Sequence, residues 1–266
     1  MQDSILVILP TRGRPVAALA AVSSILSTSY FADVLLCEDD DDPKPIRLEM
    51  PRVRTQIGPR LSFTQWLNVA ARENCQQYPI IGWSADDVRY LKPGWDLMIR
   101  QAMQGQEVKI VYGPDGIQNE KLPTHPFVTS SIVKALGYLI YPGLRHYYND
   151  NYLKSLGTAL GCLRYHPNFV IEHRHHSTGK SPFDMLYSSN EKHFDSDAKT
   201  FTEQAAPQAE ADAAKIHDYL AKERDLAKIA LPGPATIHAA EPKFALAGEL
   251  RPNTPEGSAA LSSVQA

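Results

Sequence analysis

A mixed, mostly parallel α/β sheet flanked by helices is the fold class this sequence predicts, and three observations carry the prediction. Short apolar runs alternate with helix-length segments over the first 200 residues. Charged clusters fall directly after the apolar runs. The last third turns Ala- and charge-rich and then Pro- and Gly-rich. Alternation of the first kind builds βαβ units, and open α/β sheets bind ligands beyond the carboxyl ends of their strands. The charged clusters therefore mark one candidate site.

Taken in order, SILVIL (4–9) reads as a buried strand, and PVAALAAVSSILSTS (15–29) as a helix with Pro15 in its first turn. ADVLLCE (32–38) and VRTQI (53–57) read as strands, LSFTQWLNVAARENCQQ (61–77) as a helix, and PIIGWS (79–84) as a fourth strand. Further on, EVKIVYG (107–113) reads as a strand, 130–139 and 149–161 as helices, and NFVIEH (168–173) as a strand. A helix is expected over 208–229, after Pro207. From Pro232 onward too little apolar surface is available to offset the entropy of ordering, so a tail is expected. The expected organisation is a catalytic domain over 1–200, a helical extension over 201–231 and a flexible tail over 232–266.

Of the 266 residues, 43% are hydrophobic, enough for a sizeable core, and the formal charge of −3 leaves no footprint for general nucleic-acid binding. Cys37, Cys75 and Cys162 are too scattered for a disulfide framework or a structural zinc site. No window approaches the roughly 20 apolar residues of a membrane span. A cytoplasmic protein is expected.

The chemistry begins at Asp86 and Asp87. Adjacent carboxylates repel, and a cation beside them relieves the repulsion. The plainer alternative is an acidic turn before Pro93. PTRGRP (10–15) sets two arginines just ahead of a helix N-terminus, a place suited to anions. EDDDDPKP (38–45) supplies carboxylates that accept hydrogen bonds from hydroxyl or ring N–H groups, although Asp41 and Asp42 read better as solvated loop. EHRHHSTGK (172–180) sets three histidines within four residues, with His173 and His175 on one face. Imidazole beside carboxylate suits Mn²⁺. Asn149, Asp150 and Asn151, in YYNDNYL, are all good helix-capping residues.

The order ILPTRGRP, VLLCEDDDDP, a helix carrying Asn68, IIGWSADDVRYLKPGWD, YYNDNYL and VIEHRHHSTGK resembles the GT-A glycosyltransferases of the family-2-like type over about residues 4–185. The resemblance implies a GT-A fold, with a donor half over about 1–105 and an acceptor half over about 106–200. It implies a metal-dependent transfer of a sugar from a nucleotide-diphosphate sugar, expected to be a UDP-sugar, to a hydroxyl acceptor. That acceptor is a glycan, a lipid-linked sugar, a protein or a modified DNA base. It further implies Mn²⁺ or Mg²⁺ on Asp87 with His173 or His175, and Asp86 on the ribose or a metal-bound water. The nucleotide falls to Pro10, Thr11 and Arg14, with Arg12 toward phosphates or solvent. Asp39, then Glu38 and Asp40, would face the base or ribose, and Asn68 would lie near the donor. Lys180, on a lid over 177–180, would reach the diphosphate, and Asp150 would be the catalytic base. The motif Ala85-Asp86-Asp87-Val88 departs from a strict Asp-x-Asp, which leaves the division of labour between the two aspartates open. A sugar-phosphate nucleotidyltransferase and a non-catalytic nucleotide- or glycan-binding protein of the same fold are the alternatives.

Overall fold

The computed structural model describes residues 4–230. Its first half runs β1 (Ile5–Thr11), α1 (Pro15–Ser27), β2 (Ala32–Asp39), β3 (Val53–Gly58), α2 (Phe63–Asn74) and β4 (Ile80–Trp83). Every residue of β1 is buried, because helices cover both faces of the sheet, and this is why the strand reads as a continuous apolar run. Pro15 takes its place in the first turn of α1. Ser62 and Gln65 close a capping box on α2, each side chain bonding the other's backbone N–H.

The second half runs β5 (Val88–Tyr90), α3 (Trp95–Met103), β6 (Ile110–Tyr112), β7 (Phe127–Thr129), α4 (Ser131–Leu136), α5 (Asn149–Ala159), β8 (Leu163–Tyr165) and β9 (Ile171–His173). Then come α6 (Met185–Glu191), α7 (Phe194–Thr200), a π-helical turn over Phe201–Ala205, and α8 (Ala206–Ala230). Three-residue strands carry too little alternation to register as a pattern, so β5, β7 and β8 escape a sequence reading. The strand expected at 168–173 shortens to Ile171–His173 and pairs antiparallel with β5 in a separate two-stranded ribbon.

The seven-stranded sheet has the order β3-β2-β1-β4-β7-β6-β8. The pairs β1·β2, β1·β4, β2·β3 and β6·β8 are parallel, whereas β7 runs antiparallel to both its neighbours. From β1 the chain steps outward to β2 and β3, then returns to add β4 on β1's other side. That reversal opens a crevice at the carboxyl ends of β1 and β4, the place where open α/β sheets take ligands.

The segment expected as an appended helix is part of the core. Ala205, Ala209, Ala213, Ile216 and Leu220 are buried in one cluster with Trp66, Leu67, Tyr152 and Leu156. Pro207 has no N–H to give to the preceding turn, and the chain enters α8 through the π-helical turn just before it. The side chain of Asp212, fully buried, accepts from Tyr138 Oη (2.6 Å) and Tyr152 Oη (2.7 Å) and from Gln208 Nε2 (2.9 Å). The expected tail at 232–266 lies outside the described residues. No helix among the described residues is long and apolar enough to cross a membrane, and the three cysteines are buried free thiols.

Removing the Asp212 carboxylate strands two tyrosine hydroxyls against an apolar wall. Asp212→Ala is expected to lower unfolding stability by about 3 kcal/mol, the cost of hydrogen bonds to a buried charge. Urea denaturation checks it: a midpoint unchanged from wild type would show that α8 is not held by this cluster.

Candidate functional site

A cavity of about 540 Å³ opens at the carboxyl edge of the sheet. Four strands and the turns after them deliver much of its charged lining. The end of β1 supplies Thr11 and the turn carrying Arg12 and Arg14; β2 supplies Asp39; the loop after β4 supplies Asp86 and Asp87; and β9 supplies His173. Pro10, His175 and Asp150 also line it.

Asp86 is buried and held on both oxygens. Oδ2 accepts from Thr11 Oγ1 (2.9 Å) and Oδ1 from Arg14 Nη1 (3.1 Å). Burial pushes its pKa up to about 6 despite the attraction of Arg14. Asp87 behaves oppositely. Burial raises it, but the hydrogen bond and charge of His173 and the hydroxyl of Tyr187 outweigh burial and hold it well below the usual range. Its Oδ2 lies 3.5 Å from His173 Nε2 and 2.6 Å from Tyr187 Oη, while Oδ1 is buried without a partner. Two neighbouring carboxylates thus sit in opposite environments.

His173 bridges Asp87 to Asp115, whose Oδ2 is 3.7 Å from Nδ1. Burial favours the neutral ring, yet the two carboxylates prevail and push the imidazole up to about 9. Asp115, fully buried after β6, accepts from the N–H groups of Ile117, Gln118 and Asn119 on Oδ1 and from Thr124 Oγ1 on Oδ2. His125 packs edge-on to His173, with ring centroids 5.0 Å apart, and both its nitrogens are buried and unpartnered.

The chemistry of these donors fits a divalent cation in part. Asp87 and His173 are adjacent and of the right types, and Asp87 Oδ1 is an orphaned buried acceptor, while His173 would have to give up the proton its two carboxylates stabilise before it could ligate. Among the described residues, however, no group of three or more histidine, cysteine or acidic side chains is arranged to hold an ion. A cation here would take its remaining ligands from the molecule bound beside it.

Several expected residues do something else. Successive side chains on a strand point to opposite faces, so Asp39 reaches the cavity while Glu38 turns away. Glu38 is buried and accepts from the N–H groups of Ile46 (2.7 Å) and Arg47, pinning the loop after β2. Asp40 is exposed and off the cavity wall. Asn68 ties α2 to the backbone after α4: Oδ1 accepts from Leu139 and Ile140 N–H, and Nδ2 donates to the Ile140 carbonyl. It has the polar partner a mid-helix asparagine calls for, but that partner is backbone. Lys180 pairs with Glu172 at 2.9 Å on the surface, away from the cavity, and 176–178 form a short 3₁₀ turn instead of a lid. His175 lines the cavity but engages Ser177 through Nδ1 (2.8 Å). Asp42, expected as solvated loop, is buried and accepts from Gly13 N–H at 3.0 Å, where Gly13 holds the left-handed φ of +69° that glycine favours.

Asp39 itself is already engaged. Oδ1 accepts from Trp66 Nε1 (2.8 Å) and Leu61 N–H (3.2 Å), and Oδ2 faces Arg12 Nη1 at 2.8 Å. Its carboxylate orders the cavity wall.

Sequence reasoning missed Asp115, His125, Asp184 and Tyr187. Asp115 follows a strand of the same orientation as β1, so the rule that found Asp86 would have found it too. Asp184 and Tyr187 carried no such signal. The Asp184 carboxylate forks onto Arg14, at 2.7 Å from Nε and 2.5 Å from Nη2, across 170 residues of sequence.

No family model matches the chain, and no curated protein matches it in sequence. Solved structures do match in fold. The chain is similar to a mannosyltransferase from Pyrobaculum calidifontis solved with GDP-Man and Mn²⁺, at 13% identity and a TM-score of 0.53 over 88% of this chain and 82% of that one. It is also similar to glucosyl-3-phosphoglycerate synthase from Mycobacterium tuberculosis solved with Mn²⁺ and UDP, at 12% identity and a TM-score of 0.51 over 69% of this chain and 75% of that one.

If Asp39 holds the wall as described, Asp39→Ala should cost about 2–3 kcal/mol through the stranded indole and guanidinium. Asp39→Asn, which keeps an acceptor for Trp66, should cost visibly less. Equilibrium unfolding followed by tryptophan fluorescence compares the two, and equal losses would refute the assignment. With its crevice at the β1/β4 switch point and its likeness in fold to these two enzymes, the chain has a GT-A fold.

Proposed function

We propose that the chain is a divalent-cation-dependent glycosyltransferase that moves a sugar from a nucleotide-diphosphate sugar to a hydroxyl acceptor. The observation that carries the reading is the convergence of Thr11, Arg14, Asp86, Asp87 and His173 on one cavity at the switch point of a GT-A sheet. Structures similar to this one were solved with a nucleotide sugar or a nucleoside diphosphate beside Mn²⁺ or Mg²⁺. A UDP-sugar is the proposed donor, and Mn²⁺ or Mg²⁺ the proposed cofactor.

Asp87 and His173 would hold the cation, with a phosphate-bearing ligand completing its coordination. Lewis-acid stabilisation of a departing diphosphate is the chemistry such an ion supplies when bound. Arg14, forked by Asp184 and held on Nη1 by Asp86, presents a guanidinium suited to phosphate oxygens. Asp86 orients Thr11 and Arg14 while remaining off the ion. Pro10 and Arg12 complete the nucleotide side of the wall.

Asp150 is the proposed base. The N-cap of α5 is Tyr148, which gives no side-chain bond, and Asp150 in the first turn accepts from Asn151 N–H, on Oδ1 at 2.9 Å, which leaves Oδ2 toward a ligand. Asp150 is half-buried in the cavity wall, and desolvation there pushes its pKa up to about 6. A carboxylate of that pKa is ionised at neutral pH and basic enough to take the proton of an attacking hydroxyl.

Two predictions test the reading. Mn²⁺ and UDP together should raise the melting temperature of the wild type, and Asp87→Ala should lose both the shift and turnover of a UDP-sugar. Absence of any cation-dependent nucleotide binding in the wild type would end the proposal. The second concerns pH. The folded pKa of Asp150, about 6, lies above the ordinary carboxyl value of 3.8, so folding favours its protonated form. The resulting penalty is absent below pH 3.8, grows as pH rises toward 6 and is complete above it. Transfer should therefore fall on an acid limb near pH 6. Asp150→Asn should abolish transfer while melting higher than wild type at pH 7.5, with the gap closing by pH 4. A variant that melts lower at pH 7.5 would contradict the assignment.

A further inference from the structure

The segment that carries α6 lies across the proposed cation and phosphate handles. Tyr187 Oη donates to Asp87 Oδ2 at 2.6 Å, and the other oxygen of Asp87 is sealed from solvent. The Arg14 guanidinium, the group best suited to a diphosphate, is forked by Asp184 and lies over the Tyr187 ring, its Cζ 4.2 Å from the centroid. His175 and His176 also pack their rings against Tyr187, at centroid distances of 5.1 and 4.5 Å. Asp184 has a second duty: Oδ1 accepts from the N–H groups of Leu186 and Tyr187 and so caps α6. One carboxylate thus ties Arg14 to the helix turn that places Tyr187 on Asp87.

We propose that Asp184 and Tyr187 form a latch that makes cation and nucleoside diphosphate enter together. The inference rests on the proposed function and extends it to the order of binding. A divalent cation arriving alone meets an Asp87 whose two oxygens are covered and a cluster with no third protein ligand. A diphosphate offers Arg14 the same pair of anionic oxygens that Asp184 does and exchanges for it. Asp184, drawn away from Arg14, loosens the turn it caps, and Tyr187 leaves Asp87. The carboxylate then becomes available just as phosphate oxygens arrive to complete the coordination of the ion.

The test reads metal and nucleotide binding separately, without turnover. Free Mn²⁺ is followed by electron paramagnetic resonance and UDP by titration calorimetry, using the full chain. Wild type should bind Mn²⁺ weakly alone and tightly with UDP. Tyr187→Phe keeps the ring packing and removes only the hydroxyl; it should bind Mn²⁺ alone about tenfold more tightly or better, the value of one hydrogen bond to a charged group. Asp184→Asn keeps a helix cap but gives up the charge on Arg14, and it should bind metal-free UDP more tightly than wild type. Mn²⁺ affinity of the wild type alone equal to that of Tyr187→Phe, or an unchanged UDP affinity in Asp184→Asn, would overturn the latch and leave the functional reading standing. Failure of all three proteins to bind Mn²⁺ even with UDP would overturn the functional reading itself.

Discussion

The pairing of buried carboxylates with cations drawn from distant loops is the constraint on which the site depends. A carboxylate shut away from water costs several kcal/mol unless a partner repays the loss. Asp86, Asp87 and Asp115 are each nearly or fully buried, and each is answered by a group from elsewhere in the chain. Arg14 answers Asp86, and His173 answers Asp87 and Asp115 together. These contacts join the loops after β1, β4 and β6 to the end of β9. Without them the carboxyl edge of the sheet would be a set of unconnected turns. Burial and these bonds together set the electrostatics of the site, with the Asp86 carboxyl shifted up by burial and the Asp87 carboxyl shifted down by His173 and Tyr187.

Much of this was legible in the sequence, and the reason is topological. The parallel strands β1, β2 and β4 are buried on both faces, so they appear as apolar runs, and their carboxyl ends point to one edge. A charged cluster after such a run is therefore already located in space. Arg12, Arg14, Asp39 and Asp86 with Asp87 are placed on the cavity wall by this rule, whereas Thr11 comes from the family resemblance. Glu38 and Asn68 show where the rule stops. A charge one residue earlier on a strand faces the other side, and a helix asparagine is as well satisfied by backbone as by a ligand. Residues brought in by long irregular segments gave no signal, and Asp184 and Tyr187 belong to that class. So does the packing of α8, whose alanines look like a solvated helix in composition yet form the small-residue face that lets the helix sit close against Tyr152 and Leu156.

That packing explains how Asp150 tolerates its position. A carboxyl pushed toward neutrality is a local cost, and it persists only where neighbours fix the backbone against relaxation. The residue before the helix, Tyr148, sits at φ +65°, unusual for a bulky side chain, and stacks on Phe201 at 5.3 Å from the π-helical turn. Asn149 accepts from the buried Thr64 hydroxyl of α2 at 2.8 Å. Tyr152, one turn into α5, is clamped by Asp212 of α8. Asp197 of α7 accepts from the N–H groups of Arg145, His146 and Tyr147 and sets the approach of the loop. Asp150 stands among four anchors drawn from α2, α7, the π-helical turn and α8. The helical segments that follow the sheet in sequence, together with α2 within it, are thus what hold an unfavourable carboxylate in the wall of a cavity formed at the sheet's edge.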